Sequence, residues 1–270
     1  PRLLRGRAVI ALLRKAVDEQ RRSAVAWGIG LLGLAFTYAA IYPSIARSQA
    51  ALDQYMRSLP EAFRELFGVD YSSPAGYLRA ELFASLGPLV FLLVAIGAGA
   101  RALGGEEEAG TFEVLLALPV RRRAVVLSKA LTSTLVSALL AVLLWVALLL
   151  LGRPFDLVVP AGDLAAACAM LWLLGLAFGA IALLVGAVTG RRGVAVATTG
   201  TLAAVAYIVN LFGLTVDALE PFRPVSPFRW ALAPDPLTTG LHPTNIAVLL
   251  GIAAVATTLA VVAFERRDVG

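Results

Sequence analysis

The sequence is poor in the residues that carry most polar chemistry. Only 15% of its 270 residues are charged, and it holds one cysteine, Cys168, and one histidine, His242. A single cysteine excludes an internal disulfide, and these counts exclude a metal site built from several His and Cys ligands. Alanine follows both Lys15 and Lys129, whereas Ser or Thr follows the lysine of a Walker A motif. The sequence therefore contains no P-loop for binding ATP.

Hydrophobic residues dominate instead. They make up 59% of the chain, and the mean hydropathy is +0.83. Intervals without Asp, Glu, Lys or Arg have close to the ~20 residues that cross a bilayer. There are six of them, at 24–46, 82–100, 130–152, 164–190, 193–216 and 243–264. The sequence predicts an all-α integral membrane protein with six transmembrane helices and both termini on one side.

The basic residues divide unevenly between the two sides of such a protein. Sixteen of the 23 would lie on the side of the termini, which the positive-inside rule places in the cytoplasm. Arg7, Arg14 and Arg21 recur every seven residues, so 1–23 is predicted to be an amphipathic helix at the membrane interface. The net charge of +5 favours anionic membrane lipids as the binding partner over nucleic acid, because no aromatic or glycine pattern accompanies the basic residues.

Two of the loops on the opposite, outer side are predicted to contain short helices. The first loop contains LPEAFRELFG at Leu59–Gly68, whose apolar positions predict a helix lying flat on the outer leaflet. The last, 217–243, is rich in proline and aromatic residues, which predicts short broken helices before the final span.

Polar residues within the spans are few. In the fifth span Thr199 and Asn210 share a helical face, and Thr198 and Thr201 adjoin it. Two interpretations stay open. The face is either a tight helix–helix interface whose threonine hydroxyls bond to their own helix backbone, or a translocation path or dimer seam. Tyr38 of the first span is assigned to the same path or seam.

Small residues in two other spans predict local helix geometry. Gly175 and Gly179 in the fourth span have the GxxxG spacing, which predicts close helix packing. Pro88, next to Gly87, predicts a kink in the second span.

The stretch between the second and third spans differs from the rest of the chain. GGEEEAGTFEVLLALPVRRR at 104–123 begins with carboxylates and ends in arginines, the order that a helix macrodipole favours. Its apolar positions predict a short cytoplasmic helix with one hydrophobic face. Taken alone, the acids are also explained by dipole compensation and solvation. The residues predicted to act here are Glu106, Glu107, Glu108, Gly110, Thr111, Phe112, Leu115, Leu116 and Pro119.

The region from Gly105 to Lys129 resembles the cytoplasmic coupling segment of ABC-2 type exporter permeases. That pattern reads E-x-x-x-G-T-L-E-x-L-L-x-x-P-V-x-R and is followed by a lysine, and the match departs from it at Phe112, where leucine is commoner. Leu59–Gly68, Ser226–Gly240 and Phe264–Asp268 resemble further stretches of the same family in the same order. The resemblance therefore covers essentially the whole chain.

This resemblance implies a transporter subunit and not an enzyme. Two permeases, identical or homologous, would pair, and each would receive a separate ATPase subunit that binds ATP and Mg²⁺. The 104–123 helix would rest in a cleft of the ATPase, and the first and fifth spans would line the seam between the permeases. The extracellular gate would lie in 217–243 and include Ser226, Pro227, Phe228, Asp235 and Pro236.

The expected function is export of an amphipathic drug, antibiotic or lipid across a bacterial inner membrane. An amphipathic substrate is expected because no charge within the spans is available to bind an ionic solute. Two alternatives stay open. One is the membrane subunit of an ABC complex for cofactor or metalloenzyme maturation, which periplasmic partners would reveal. The other is a non-transporting membrane scaffold or enzyme, which would show no substrate-stimulated ATP hydrolysis with its partner.

Overall fold

The computed structural model describes residues 2–48, 73–105, 108 and 121–267, with side chains from Gln20 onward. These residues form helices and no strand, and six of the helices are long and apolar enough to cross a membrane, as predicted. In chain order the helices are α1 Arg2–Arg47, α2 Pro74–Gly105, α3 Arg122–Gly152, α4 Ala161–Thr189, α5 Arg192–Phe212, a 3₁₀-helix Glu220–Val225, α6 Pro227–Leu232, α7 Pro236–Thr239 and α8 Pro243–Arg266.

The first helix is longer than a single span. α1 continues without a break from Arg2 to Arg47, so no helix boundary separates 1–23 from the first span. Neither glycine nor proline occurs between Arg7 and Trp27, so no helix-breaking residue stops the helix there. The interfacial position of 1–23 stays a prediction.

The second helix changes its hydrogen-bonding register beside Pro88. Residues Arg79–Leu86 are π-helical, and the Gly87 N–H donates to the carbonyl oxygen of Leu82, five residues back. A proline ring clashes with the carbonyl four residues before it, and a wider π-turn is a common way to relieve such crowding. A side chain on Gly87 would lie 2.6 Å from that Leu82 oxygen, so this turn requires glycine. The register change lies where the sequence predicts a kink.

The fourth span is the centre of the bundle. α4 packs against α2, α3, α5 and α8, whereas α1 packs mainly on α3. Glycines bring α2 and α4 together: a Cβ on Gly175 would lie 3.2 Å from the carbonyl oxygen of Phe91, and one on Gly179 would lie 3.1 Å from that of Ala95. The close packing predicted from their spacing is confirmed. The tightest point is Gly99 of α2, whose added Cβ would lie 2.2 Å from the carbonyl oxygen of Gly179.

The bundle has two chemically different ends. The arginine-rich end contains Arg101, Arg121, Arg122, Arg123, Arg191, Arg192, Arg266 and Arg267. There the Arg122 Nη1 donates to the carbonyl of Arg267 at 2.6 Å and so joins the start of α3 to the end of α8. The proline-rich end contains the 3₁₀-helix, α6 and α7, packed near the end of α5 and the starts of α2 and α8. The short helices predicted before the last span are therefore present.

Candidate functional sites at the two ends of the bundle

Most residues of the predicted coupling helix lie outside the described residues. These are Glu106, Glu107, Gly110, Thr111, Phe112, Leu115, Leu116 and Pro119, and the predicted outer-loop helix at 59–68 also lies outside them. The helix at 104–123 therefore stays a prediction. Glu108 is among the described residues, and its contact shows where the start of the 104–123 segment meets the rest of the bundle.

Glu108 binds the start of α5. Its Oε1 accepts a hydrogen bond of 2.9 Å from the backbone N–H of Arg192, the first residue of that helix. The first N–H groups of a helix have no acceptor within the helix, and a carboxylate there also interacts favourably with the helix dipole. Arg191 at the N-cap position makes no side-chain cap. Glu108 therefore caps α5 from 84 residues away in the sequence.

The end of α2 packs on the same point. A Cβ on Gly104 would lie 2.8 Å from the backbone nitrogen of Arg192 and 3.0 Å from the carbonyl carbon of Arg191. α4 ends immediately before it, at Gly190, whose φ of 66° lies in the left-handed region that favours glycine. We name this contact, formed by Gly104, Glu108, Arg191 and Arg192, the α2–α5 junction. The end of α2 and the start of α5 are in direct backbone contact there.

The polar residues of α5 are separated in the structure. Thr199 is fully buried, while Thr198 and Thr201 are exposed. The Thr199 hydroxyl has no hydrogen-bond partner among the described residues, so it does not make the bond to its own helix backbone that the packing interpretation expected. Asn210 is partly buried and lies eleven residues further along the helix, about 16 Å away. Its Oδ1 is buried and also lacks a hydrogen-bond partner in the part of the chain that the structure describes.

Tyr38 belongs to a different contact. The Tyr77 hydroxyl of α2 donates to the Tyr38 carbonyl at 3.1 Å, and the two rings lie edge to face with centroids 6.2 Å apart. Tyr38 thus helps to join α1 to α2. Of the five predicted path residues, Tyr38 contacts α2 and Asn210 lines a cavity, and their role as path or seam stays a prediction.

This cavity has a volume of about 400 Å³ and lies at the proline-rich end. Its size falls in the range of small-molecule sites. Residues of α2, α4, α5 and the short helices form its wall. The polar lining residues are Arg79, Ser85, Tyr207, Asn210, Arg223 and Asp235.

Ser226 and Phe228, both predicted gate residues, hold α6 in place. The buried Ser226 hydroxyl donates to the carbonyl of Ala206 in α5 at 2.8 Å and accepts from the Phe228 N–H at 3.3 Å. The Phe228 ring lies 5.7 Å from that of Phe178 and 5.2 Å from that of Tyr207, measured between centroids. Together these contacts pack α6 against α4 and α5. The neighbouring Pro227 is buried as well.

Asp235 holds the second short helix and forms part of the cavity wall. Its Oδ1 accepts from the Leu237 N–H at 3.1 Å, which caps α7, and its Oδ2 lies 3.6 Å from Nε of Arg79 on α2. Its side chain is 10% exposed, against 47% for Arg79. The buried Pro236 also lines the cavity. The predicted gate residues therefore fall into two groups: Ser226, Pro227 and Phe228 fix α6, while Asp235 and Pro236 border the cavity.

Arg223 is a cavity residue that sequence reasoning missed. It is partly buried, its side-chain stem lies against Gly213, and its Nε is buried without a hydrogen-bond partner in the described segments. Burial, followed by the positive charge of Arg229, lowers the pKa of the Arg223 guanidinium, whereas Glu220 acts in the opposite direction. An arginine in a short proline-rich segment beside a span is the sequence signal that could have identified it.

The fold and these two sites define a polytopic α-helical membrane protein with a cavity near one end and a helix junction at the other. Residues 10–269 match the model of the family described as ABC-2 family transporter protein. The chain belongs to this family and is a membrane subunit of an ABC transporter, which implies association with an ABC ATPase. No curated protein matches the sequence.

Proposed function

We propose that the chain is the permease of an ATP-driven exporter for an amphipathic substrate. Two permeases, this chain with a second copy or a homologue, would assemble with two ATPase subunits that bind ATP and Mg²⁺. The assembly would lie in a bacterial inner membrane. Since the arginine-rich end carries more of the described arginines than the proline-rich end, the positive-inside rule favours a cytoplasmic position for that end and for both termini.

The observation that carries this proposal is the α2–α5 junction. The 104–123 segment begins at this junction, where Glu108 caps α5 and Gly104 touches its backbone. A partner that moves the segment would therefore act on the start of α5 through a charge-assisted hydrogen bond and a backbone contact. α5 packs mainly on α4 and is the least buried of the six spans. It is thus positioned to respond to a displacement at its first turn.

The exposed faces of α1 and α5 support pairing of permeases along these helices. Large apolar side chains point outward from both, including Ile29 and Phe36 on α1 and Val205 and Ile208 on α5. Lipid and a second permease both suit such faces. Three glycines of these helices have no atom of the described residues within 4 Å of an added Cβ, so a neighbouring helix could approach closely there: Gly30 and Gly33 on α1 and Gly200 on α5.

The proposal is tested by purifying the chain with its ATPase and comparing two kinds of variant. We expect the wild type to hold two ATPases per permease pair. Alanine at Glu106, Glu107 and Glu108 combined with Leu115→Asp should weaken ATPase binding at least tenfold, because it places a charge on the apolar docking face. Binding is measured by sedimentation, and ATP turnover is measured in lipid.

Substitutions of Glu108 alone separate docking from transmission. Glu108→Leu cannot accept from the Arg192 N–H, whereas the Glu108→Gln control still can. We expect Glu108→Leu to retain bound ATPase but lose at least half of the substrate-stimulated turnover, and Glu108→Gln to resemble the wild type. Full ATPase binding and turnover in every variant would refute the coupling role of this segment.

A further inference from the structure

We propose that the cavity at the proline-rich end binds the head of an anionic amphiphile: Arg223 takes a phosphate or carboxylate, and Asn210 accepts a hydrogen bond from a neighbouring hydroxyl or amine of the ligand. The inference that this ligand is the exported substrate rests on the proposed function. The inference that the cavity binds an anionic amphiphile does not. The lining contains four further polar side chains, but Arg223 and Asn210 differ from them, because each has a buried polar atom without a hydrogen-bond partner among the described residues.

An unpaired donor and an unpaired acceptor belong to residues that line the same cavity. The Nε of Arg223 is a buried donor and the Oδ1 of Asn210 a buried acceptor, and neither has a partner among the described residues. A buried polar group without a hydrogen bond is energetically unfavourable. A ligand head that carries an acceptor and a donor offers a partner to each group. A purely apolar ligand would leave both unsatisfied.

The charges in the wall favour an anion. Asp235 is already paired with Arg79 and accepts a hydrogen bond from the first turn of α7. Arg223 has no carboxylate within the 4 Å of an ion pair among the described residues, although Glu220 is close enough to influence its pKa. Partial burial of an unpaired guanidinium is costly, and an anionic ligand offsets that cost. One positive charge is therefore available to the ligand.

The remaining wall suits an apolar body. The large apolar lining residues are Phe83 of α2, Leu171 of α4, Leu211 at the end of α5, Leu214 after it and Leu232 of α6. Arg223 and Asp235 come from the segment between α5 and α8, which lies at the ends of the spans. This position at the ends of the spans is where lipid headgroups meet acyl chains. An amphiphile matches such a lining better than a soluble anion does.

The structure thus modifies the expectation that no charge is available to the substrate. That expectation holds for the centres of the spans, but Arg79, Arg223 and Asp235 line a cavity at their ends. The substrate class becomes narrower than a drug, antibiotic or lipid. It is an amphiphile with an acidic head.

The test uses the purified chain alone in maltoside micelles, with ligand binding followed by native mass spectrometry. The probe is lauroyl lysophosphatidic acid, which carries a phosphate and a hydroxyl on one acyl chain. Monolauroylglycerol lacks the phosphate, and dodecyl phosphate lacks the hydroxyl. We expect the wild type to bind the probe at least tenfold more tightly than monolauroylglycerol and several-fold more tightly than dodecyl phosphate.

Substitutions identify the residues responsible. Arg223→Met should weaken binding of the probe about tenfold or more, and Asn210→Leu should remove its advantage over dodecyl phosphate. Arg229→Met is the matched control, because Arg229 lies six residues away over the Trp230 ring, outside the cavity lining, and it should change affinity less than about twofold. Arg223→Lys, which retains the charge, serves if the methionine variant fails to fold, and should bind within about fivefold of the wild type.

Equal affinity for the acidic and neutral ligands would overturn the proposal. An equal loss in Arg223→Met and Arg229→Met would do the same, because it would show only a diffuse positive field. A second arm, ATP turnover of the complete complex in liposomes, identifies the source of the ligand: stimulation by the probe indicates an exported substrate, and binding without stimulation indicates a resident membrane lipid. Both results support the site. If the ATPase experiment fails, the proposed exporter function is refuted, but the ligand-binding result still stands.

Discussion

Replacing Gly99 by alanine is expected to disrupt the contact between α2 and α4. The new Cβ would lie 2.2 Å from the Gly179 carbonyl oxygen, 3.1 Å from the Gly179 carbonyl carbon and 3.1 Å from the Leu183 nitrogen. All three are backbone atoms of the central helix, so no side chain can rotate away and the helices must separate. We expect a loss of about 3 kcal/mol or more, measured as a lower thermal unfolding midpoint in detergent and a lower yield of monodisperse protein.

Gly97→Ala is the matched control on the same helix. Its Cβ would meet only the mobile end of Arg101, at 3.8 Å. Since alanine favours a helix interior over glycine by roughly 1 kcal/mol, Gly97→Ala should leave stability unchanged or raise it. If both alanine variants unfold at the same temperature as the wild type, the close approach of α2 and α4 is incorrect.

Phe228→Ala is expected to release α6 from the bundle. The ring is 1% exposed and contacts Phe178 of α4 and Tyr207 of α5. Truncating a fully buried phenylalanine costs about 3 to 5 kcal/mol, since it removes apolar burial and leaves a cavity. The unfolding midpoint should fall, and because α6 carries Ala231 and Leu232 of the cavity wall, affinity for the anionic probe should fall with it.

Phe222→Ala provides the comparison for this change. Phe222 lies six residues earlier, in the 3₁₀-helix, and is 57% exposed. The same loss of a ring should lower the midpoint little there. Equal shifts in the two variants would mean that burial of Phe228 does not stabilise the protein.

The spans were predictable because the membrane requires long intervals without charge. The ends of the spans were harder to predict. α2 and α3 begin eight residues before their predicted intervals, at Pro74 and Arg122, since a helix continues into charged residues once its hydrogen-bond ladder has formed. Proline and glycine identified the irregular part of α2, but their positions in the sequence do not reveal that its register is π-helical over Arg79–Leu86.

The candidate sites were predicted only in part, because both are built from residues distant in sequence. Glu108 was predicted to meet an ATPase, and its hydrogen bond to Arg192 follows from how α2 crosses the start of α5. Asn210 was identified from its polarity within an apolar helix. Arg79 and Arg223 were missed, because only the folded chain brings the start of α2 beside the segment after α5.

The central position of α4 has a consequence for biosynthesis. Spans leave the ribosome in chain order, so α1, α2 and α3 are made before the helix that packs against α2 and α3. α1 and α3 can pair at once, because they contact each other directly. α2, in contrast, must wait in the lipid with its Gly99 surface uncovered until α4 inserts. The nascent chain therefore acquires its native core only when its fourth span enters the membrane.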